Sequence, residues 1–284
     1  MFDFHLHTTK SDGVLSFEEM LDTLHLYSIQ PFSITDHNHA LAYECFDYKQ
    51  YPCIPGFELA TSYQGEIIEV LGYGIQPEVV NAWYRDFYSD ANLQRIEETL
   101  LSRIQSCATH ENLIFDQKIT LSTIQKGIAK KTMYQQLSSN NPKFLQQFPT
   151  YKTFFRQGLS NPASPFFIDE GSTYLSFDEA IQLIHQAGGK AFLAHIFEYD
   201  AFRKNHCIEE VRERLDGMEC FHPSIPMKES VKLFQYCEKN HLYSSGGSDF
   251  HKYERHIPFG VHLDRRLLDS SNFDWVDDSL RNLM

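Results

Sequence analysis

The sequence lacks the features of a membrane-spanning or secreted protein. Its 284 residues contain no run of about 18 apolar residues, so no membrane span or membrane partner is expected. The first residues, Met1 to His7, carry neither a basic nor an apolar signal region, which predicts a cytoplasmic location. The six cysteines include no Cys-x-x-Cys pair and are interpreted as isolated reduced thiols.

Positive charge is also scarce. The chain has 25 Lys and Arg against 38 Asp and Glu, a formal net charge of −13. Because non-specific duplex binding depends on clustered Lys and Arg, this balance disfavours long nucleic acid and favours a small substrate. No Gly-x-Ser-x-Gly or Gly-x-x-x-x-Gly-Lys motif occurs, so neither a serine-hydrolase elbow nor a phosphate-binding P-loop is indicated.

What is present is an alternation of short apolar runs with helical patterns, which predicts an α/β fold. Repeated βα units indicate a parallel sheet, either open or closed into a barrel. Residues 76–165 lack convincing strands and are interpreted as a helical insertion that caps the substrate, between two parts of the barrel at 1–75 and 166–284. Strands are predicted at 2–6, 31–35, 52–58, 66–73, 190–194, 217–221 and 242–245.

Polar residues interrupt the apolar pattern of the first predicted strand. Asp3, His5 and His7 alternate with apolar residues, so their side chains share one face of the strand. Asp12 follows in the turn just beyond. Two imidazoles at this spacing can bind one metal ion or two adjacent ions, with the carboxylate of Asp12 as a further ligand. An edge strand with its polar face in water would show the same local pattern, so this motif leaves both interpretations open.

Similar residues recur at the other predicted strand ends. Asp36 stands beside His37 and is interpreted as a carboxylate that orients a ligating imidazole. Glu69 interrupts an apolar run, where an unpaired carboxylate is costly to bury and a metal ion would offset that cost. The further candidate ligands at strand ends are Glu58, His195, Asp249 and His251.

These strand ends together predict a multinuclear metal centre, because the carboxyl ends of parallel strands meet at one edge. Imidazoles and carboxylates without thiolates suit Mn²⁺, Fe²⁺ or Zn²⁺, and nine candidate ligands are enough for two or three ions. Such ions convert bound water to hydroxide near neutral pH and stabilise an in-line displacement. The predicted reaction is therefore hydrolysis of a phosphate ester by a metal-bound hydroxide.

In order along the chain, these motifs resemble those of the PHP (polymerase and histidinol phosphatase) domain phosphoesterases. The matching motifs are Asp-x-His-x-His at 3–7, Asp36-His37, Gly-x-Glu at 56–58, Ala194-His195 and Gly-Ser-Asp-x-His at 247–251. The resemblance implies a distorted seven-stranded βα barrel with two or three metal ions at its mouth. The implied metal ligands are His5, His7, Asp12, His37, Glu58, Glu69, His195, Asp249 and His251, with Asp3 and Asp36 supporting them.

Within this family, two segments resemble one branch in particular. Ser11-Asp12-Gly13 and the Leu-Gly-Tyr-Gly run at 71–74 are similar to enzymes that remove phosphate from nucleoside 3′,5′-bisphosphates or trim short RNA from its 5′ end. The resemblance implies a helical insertion whose basic residue holds substrate phosphate, and Lys130 stands at that position. Glu69 replaces a histidine ligand of the relatives, which implies an altered metal preference or charge.

Several assignments remain open at this level. His222 and Arg203 follow predicted strands and are candidates for substrate contacts, although surface placement is an equal alternative. Histidinol-phosphate phosphatase shares the motifs of the barrel and is a second candidate activity. An amidohydrolase also begins with His-x-His, but the Asp-x-His pair at 249–251 disfavours it. A metal-binding regulatory module without turnover is the alternative outside the enzymes.

Overall fold

The computed structural model describes residues 1–121, 124–199, 208–253 and 265–281 of the chain. The chain divides into two compact units, of which the first consists of Met1–Tyr84 and Tyr174–Met284 and the second of Arg85–Thr173. Among the helices within the described ranges, none combines the length and hydropathy needed to cross a bilayer. The segment with Arg203 lies outside the described residues.

The first unit is built on a mixed sheet. Its strands within the described ranges are β1 (Gly56–Tyr63), β2 (Glu66–Tyr73), β3 (Leu175–Ser176), β4 (Lys190–Leu193), β5 (Gly217–Phe221) and β6 (Tyr243–Gly246), in the order β3-β1-β2-β4-β5-β6. Strand β2 pairs antiparallel with both β1 and β4, whereas the remaining pairs are parallel. The expectation of a parallel sheet is therefore wrong around β2. The reason is a two-residue turn at Gln64 and Gly65, both with positive φ, which joins β1 and β2 as a hairpin.

Two segments predicted as strands, at 2–6 and 31–35, form isolated bridges instead of continuous ladders. The amide of Phe4 donates to the carbonyl of Gly246 at 3.1 Å, which places the first segment beside β6. The parallel bridges are Asp3–Phe32, Leu6–Phe250, Phe32–Cys53 and His37–Glu58. Backbone contacts therefore run from β6 through both segments to β1.

Helices with strong start signals cover the sheet of the first unit. Ser16 and Glu19 form a reciprocal capping box at the first helix, and Ser176 and Glu179 form another at a later helix, as their spacing predicts. The helices of this unit in the described ranges are α1 (Phe17–Leu26), α2 (Pro77–Phe87, which runs across the boundary at Tyr84), α7 (Phe177–Gln186), α8 (Ile208–Val211), α9 (Met227–Lys239) and α10 (Asp274–Arg281).

An aromatic core packs against one side of the segment at 2–6. The Trp275 ring of α10 lies 5.1 Å from Phe4, 4.9 Å from Tyr73 and 5.0 Å from Phe192, measured between ring centroids, and all four side chains are fully buried. The Trp275 indole also donates to the carbonyl of Ser244 at 2.9 Å. Burying each of these rings contributes about 1.5–3 kcal/mol. Because alternate side chains of an extended segment point in opposite directions, anchoring Phe4 here aims Asp3 and His5 away from this core.

The second unit is helical over its described residues. Its core includes Leu100, Ile104, Met133 and Leu137, which recur at helical spacing and are almost fully buried. Glu97 is also buried and accepts the amide hydrogens of Gly127 and Ala129 at the start of a helix. The helices are α3 (Asp90–His110), α4 (Ile128–Asn140), α5 (Pro142–Gln147) and α6 (Tyr151–Thr153), the last continuing as a π-helical turn over Phe154–Leu159.

Candidate metal centre

All nine residues predicted as metal ligands lie in the first unit, and their donor atoms converge. They come from the ends of β1, β4 and β6, from the middle of β2 and from the two bridging segments, so strand pairing brings them together from distant parts of the sequence. Four overlapping groups have donor atoms within 4.8 Å of one another. These groups are His7-Asp12-His37-His251, His5-His7-Glu58-Asp249, His37-Glu58-Glu69 and His5-Glu219-His222.

His5 and His7 form the inner wall of the centre and are fully buried. The Nε2 atom of His5 lies 3.3 Å from both Glu58 Oε1 and Asp249 Oδ1. The Nε2 atom of His7 lies 3.1 Å from Asp249 Oδ1 and 3.4 Å from Glu58 Oε2. None of these four contacts has hydrogen-bond geometry, since both imidazole nitrogens and the facing Glu58 Oε2 and Asp249 Oδ1 have no hydrogen-bond partner among the described residues. The two imidazole nitrogens and the two carboxylate oxygens therefore face one point between them.

Glu58 lies at the middle of the cluster. Its Oε1 atom is hydrogen-bonded to His195 Nε2 at 2.8 Å, and its Oε2 atom lies 3.1 Å from His37 Nδ1. Burial alone would raise the pKa of this carboxyl, but the neighbouring imidazoles of His5, His195 and His37 lower it well below its usual range. Glu58 is therefore an ionised carboxylate with imidazoles on several sides.

The outer side of the centre is more accessible. Asp12 Oδ1 lies 3.1 Å from His251 Nε2 and 3.6 Å from His37 Nε2, and its side chain is 56% exposed. The His251 and His7 rings stack at 3.9 Å between centroids. Three imidazoles and one carboxylate thus form a nitrogen-rich group at the mouth, a donor set typical of Mn²⁺, Fe²⁺ or Zn²⁺.

Glu69 lies between two of the imidazoles. Its carboxylate oxygens are 3.5 Å from His37 Nδ1 and 3.4 Å from His195 Nε2. Burial and the neighbouring charge of Glu58 raise the pKa of Glu69 to about 7. The Tyr199 hydroxyl accepts the Glu69 amide hydrogen at 2.9 Å and contacts His195 Nδ1 at 3.0 Å. Tyr199, which the sequence analysis missed, therefore ties the His195 ring to β2.

Two of the predicted ligands have unusual backbone conformations. Asp249 has a φ of 53° and His195 a φ of 21°, a region that costs a non-glycine residue about 1–3 kcal/mol. The loop before Asp249 also packs closely against the first segment, because a Cβ on Gly247 would lie 2.2 Å from the Cβ of His5. Only glycine fits there, and this close approach brings Asp249 within reach of both N-terminal histidines.

Asp3 and Asp36 support neighbouring loops and make no hydrogen bond to an imidazole among the described residues. Asp3 accepts hydrogen bonds from the amide and hydroxyl of Ser248, at 3.0 and 2.6 Å, next to Asp249. Asp36 accepts from the amide and hydroxyl of Thr8, at 2.8 and 2.7 Å, and from the Ser11 hydroxyl at 2.6 Å. Asp36 was expected to orient the His37 ring. It instead accepts hydrogen bonds from Thr8 and Ser11 and so holds the turn that carries Asp12.

Glu219 is a site residue that the sequence analysis missed. It lies on β5, is fully buried, and accepts a hydrogen bond from His5 Nδ1 at 2.9 Å and from the His195 amide at 2.8 Å. Since Nδ1 of His5 then carries the proton, its Nε2 lone pair faces the centre. The available signal was a carboxylate inside the apolar strand 217–221, the same feature that indicated Glu69.

The two predicted substrate contacts occupy different places. Lys130 lies in the second unit, where its ammonium pairs with Glu170 and lies 5.1 Å from the centre of the Phe155 ring. His222 follows β5 in the first unit, and its ring lies 5.2 Å from that of His195. His39, which had no assigned role, contacts the carbonyl of Lys10 through Nε2 at 3.0 Å, next to the turn with Asp12.

The donor set fits divalent metal ions. Four imidazoles and four carboxylates of the predicted set converge, and a fifth imidazole, His195, is hydrogen-bonded to Glu58. The buried His5 Nε2, His7 Nε2, Glu58 Oε2 and Asp249 Oδ1 have no hydrogen-bond partner in the described part of the chain. Unpaired buried polar atoms are costly, and a bound cation would satisfy them together. The structure supports divalent ions as cofactors.

Sequence comparison gives relatives along most of the chain, although no protein-family model matches it. The 5′-3′ exoribonuclease Rnm of Salmonella typhimurium is 24% identical, covering 89% of this chain and 85% of the relative. The 3′,5′-nucleoside bisphosphate phosphatase of Chromobacterium violaceum is 25% identical, covering 88% and 86%. The phosphoribosyl 1,2-cyclic phosphate 1,2-diphosphodiesterase of Eggerthella lenta is 23% identical, covering 91% and 98%.

Solved structures share the fold. A Chromobacterium violaceum protein described as an amidohydrolase aligns with a TM-score of 0.61 at 19% identity, covering 98% of this chain and 96% of that one. A Bifidobacterium adolescentis protein assigned as a metal-dependent phosphoesterase aligns with a TM-score of 0.59 at 18% identity, covering 99% and 94%. At these identities the likeness shows the α/β fold alone.

The α/β fold and the converging imidazoles and carboxylates are the features that a metal-dependent hydrolase needs. The names of the relatives describe enzymes that hydrolyse phosphate esters or phosphodiesters. These relatives confirm the resemblance drawn from the motifs. The chain is therefore similar to phosphoester hydrolases that include nucleoside bisphosphate phosphatases and 5′-3′ exoribonucleases, the branch that its motifs resemble.

Proposed function

We propose that the chain hydrolyses a phosphate ester of a nucleotide, either a nucleoside 3′,5′-bisphosphate or a short 5′-phosphorylated oligonucleotide. The observation that carries the proposal is the convergence of nine donor residues in one cluster with a buried inner wall, in a chain whose relatives are named for such substrates. Two or three ions of Mn, Fe or Zn are part of the proposal. It is supported by the groups around Asp12, Asp249 and Glu69, each able to hold one ion.

The proposed ligands have distinct tasks. Divalent ions in these groups supply charge that neutralises a phosphate and lowers the pKa of water. Glu58 and Asp249 offer carboxylate oxygens to the ions beside the inner imidazoles, and both stay ionised because their pKa values are well below the usual range. Asp12 at the exposed side leaves room for substrate to approach. Glu69 adds a fourth carboxylate to the set, which favours hard cations.

A distorted seven-stranded barrel is the proposed architecture of the first unit. It is supported by the backbone contacts that continue from β6 through the segments at 2–7 and 31–37 to β1, because five strands and two segments then form a ring. The antiparallel β1–β2 hairpin distorts it. Donors from neighbouring walls of such a ring face one mouth.

We further propose that the second unit supplies substrate contacts, with Lys130 as a phosphate-binding residue. Its ammonium is paired with Glu170 and mostly buried, so a substrate phosphate would compete with that carboxylate. Lysine provides a point charge and lacks the fork with which arginine binds two oxygens. Lys130→Ala is expected to raise the KM for a phosphorylated substrate more than it lowers kcat, whereas Lys131→Ala serves as the neighbouring control.

Product analysis tests the proposal, with inorganic phosphate measured for the two phosphate monoesters, mononucleotide for the RNA trimer and the ring-opened monoester for the cyclic phosphate. Mn²⁺-loaded protein would be given 3′-phosphoadenosine 5′-phosphate, a 5′-phosphorylated RNA trimer, histidinol phosphate and a 1,2-cyclic ribose phosphate, with chelator-treated protein alongside. Metal-dependent turnover of the first or second substrate supports the proposal, and their ratio shows whether the site accepts a chain. Preference for histidinol phosphate or the cyclic ester overturns the proposed substrate class.

A ligand variant tests the proposed centre in the same assay. Asp249→Asn removes a carboxylate that faces His5, His7 and His251, so hydrolysis and metal loading should be lost together. Asp22→Asn on the exposed face of α1 is the matched control and should behave as the unaltered protein. Full activity of Asp249→Asn would show that the chemistry lies elsewhere.

A further inference from the structure

His222 is a buried imidazole at the edge of the candidate centre. It comes directly after β5, is 6% exposed, and its ring lies 5.2 Å from that of His195 and 6.0 Å from that of His5. A register irregularity in the β5–β6 pairing lies between Glu219 and Phe221. In a regular strand, residues three apart point to opposite faces. The irregularity allows Glu219 and His222 to point to the same side, where both lie close to His5.

The contacts of Nδ1 define the tautomer of the His222 ring. Nδ1 accepts the amide hydrogen of Ser224 at 3.1 Å and lies 2.7 Å from the Ser224 hydroxyl oxygen. A backbone amide can only donate, so Nδ1 carries a lone pair and no hydrogen. A neutral ring with this pattern carries its hydrogen on Nε2, which therefore has no lone pair to offer a metal ion.

The Nε2 atom of His222 faces one oxygen of Asp249. It lies 3.5 Å from Asp249 Oδ2 and has no hydrogen-bond partner among the described residues. The other oxygen, Oδ1, faces Nε2 of His5 and His7 and Nδ1 of His251, at 3.3, 3.1 and 3.3 Å. The two oxygens of this carboxylate thus have different surroundings, with imidazoles of the proposed ligand set on one side and His222 on the other.

We propose that His222 is a positioning residue that donates its Nε2 hydrogen to Asp249 Oδ2 and so directs Oδ1 alone toward the metal centre. The 3.5 Å separation exceeds a normal hydrogen bond by a few tenths of an ångström, which a small rotation of the Asp249 carboxylate removes. His222 is then neither a metal ligand nor a substrate contact. This role rests on the proposed metal centre but not on the identity of the substrate.

Two variants with an amide side chain at position 222 test the contacts of Nδ1 and Nε2 separately. In His222→Gln, the side-chain nitrogen reaches the position of Nε2 and keeps a donor for Asp249. In His222→Asn, the side-chain oxygen reaches the position of Nδ1 and keeps an acceptor for Ser224, but the donor is lost. Partners that orient ligands typically change metal affinity by about 10- to 100-fold. We therefore expect His222→Asn to weaken Mn²⁺ binding by about that factor and His222→Gln to change it by less than about threefold.

Three readouts decide the proposal. Mn²⁺ stoichiometry and affinity would be measured by titration, steady-state kinetics would separate KM from kcat, and ¹⁵N-histidine NMR of the unaltered protein would report the His222 tautomer. Loss of one equivalent of Mn²⁺ in both variants would make His222 a ligand, and a raised KM with unchanged Mn²⁺ affinity would make it a substrate contact; either overturns the proposal. A hydrogen on Nδ1 in the NMR spectrum also overturns it, even where a variant fails to fold.

The tests of His222 can succeed or fail independently of the proposed substrate. The NMR measurement requires no turnover, and Mn²⁺ titration requires no substrate. Normal Mn²⁺ binding and the expected tautomer without hydrolysis of any nucleotide would refute the substrate class and leave the role of His222 intact. Absence of Mn²⁺ binding in the unaltered protein would refute the metal centre and, with it, this role of His222.

Discussion

At the scale of single residues, the candidate metal centre depends on carboxylates that are not themselves predicted ligands. Asp3 and Asp36 accept hydrogen bonds from loops next to Asp249 and Asp12, and Glu219 orients the His5 ring. Residues with a strained backbone, such as Asp249, persist only where neighbouring contacts over-determine their conformation. Substitutions at these supporting carboxylates should therefore affect metal binding without removing any ligand.

Asp36→Ala should loosen the turn that carries Asp12. It removes the acceptor of three hydrogen bonds from Thr8 and Ser11, and an unsatisfied buried donor costs about 1–3 kcal/mol. Urea unfolding of the chelator-treated protein should show this loss, and Mn²⁺ affinity should fall as well. Asp22→Ala is the exposed control. Weakened Mn²⁺ binding without any loss of stability would instead indicate that Asp36 itself binds the ion.

Glu219→Gln should weaken metal binding although Glu219 is not a proposed ligand. The amide retains one acceptor oxygen, but the charge that holds the Nδ1 hydrogen of His5 is lost. We expect Mn²⁺ affinity to decrease by about 10- to 100-fold in a titration. Glu213→Gln, an exposed neighbour in the chain, provides the control. Unchanged affinity in Glu219→Gln would show that the His5 ring keeps its orientation without this carboxylate.

At the scale of elements, the helix caps were predictable and the strand partners were not. The Ser-x-x-Glu spacing at Ser16 and Ser176 identified the starts of α1 and α7, because a capping box involves residues only three apart. Strand β2 also has its predicted bounds, 66–73. The prediction of 52–58 for the preceding strand was too early, since β1 extends to Tyr63 through pairing with β2 across the hairpin.

Ser176→Ala should destabilise the first unit by about 1 kcal/mol. The substitution removes the acceptor for the Glu179 amide and the hydroxyl that donates to Glu179 Oε2, and it leaves only the backbone half of the capping box at α7. Equilibrium urea unfolding measures the difference. Gln182→Ala, on the exposed face of the same helix, is expected to have little effect. Equal stability of Ser176→Ala and the unaltered protein would mean that α7 is held by packing alone.

Glu97→Ala should destabilise the second unit locally. Its carboxylate is 1% exposed and accepts the amides of Gly127 and Ala129 at the start of α4, so removal leaves both donors unsatisfied. Hydrogen exchange should accelerate in α3 and α4 while the sheet of the first unit remains protected. Glu98→Ala, exposed on the same helix, is the control. Uniform loss of protection in both units would contradict a local role.

At the scale of the whole molecule, metal binding and stability should be linked. Ions that bind only the folded state stabilise it by about 2.7 kcal/mol when present at about 100 times the Kd. Adding Mn²⁺ to chelator-treated protein should therefore raise the thermal midpoint by roughly 5 °C or more, measured by calorimetry. The Asp249→Asn variant should lose most of this gain. An equal gain in that variant would show that Mn²⁺ stabilises the protein through another site.

The sequence by itself determined the chemical types of the donors, the shared face of Asp3, His5 and His7, and the capped helices, because alternation and capping depend on residues close together in the chain. Only the tertiary structure decided which groups meet. Asp3 bonds to Ser248 across 245 positions, and His5 bonds to Glu219 across 214. Such contacts depend on which segments lie side by side, and short-range patterns carry no information on that. The hydrogen-bond partners of Asp3 and Asp36 and the supporting roles of Glu219 and Tyr199 therefore emerged only with the fold.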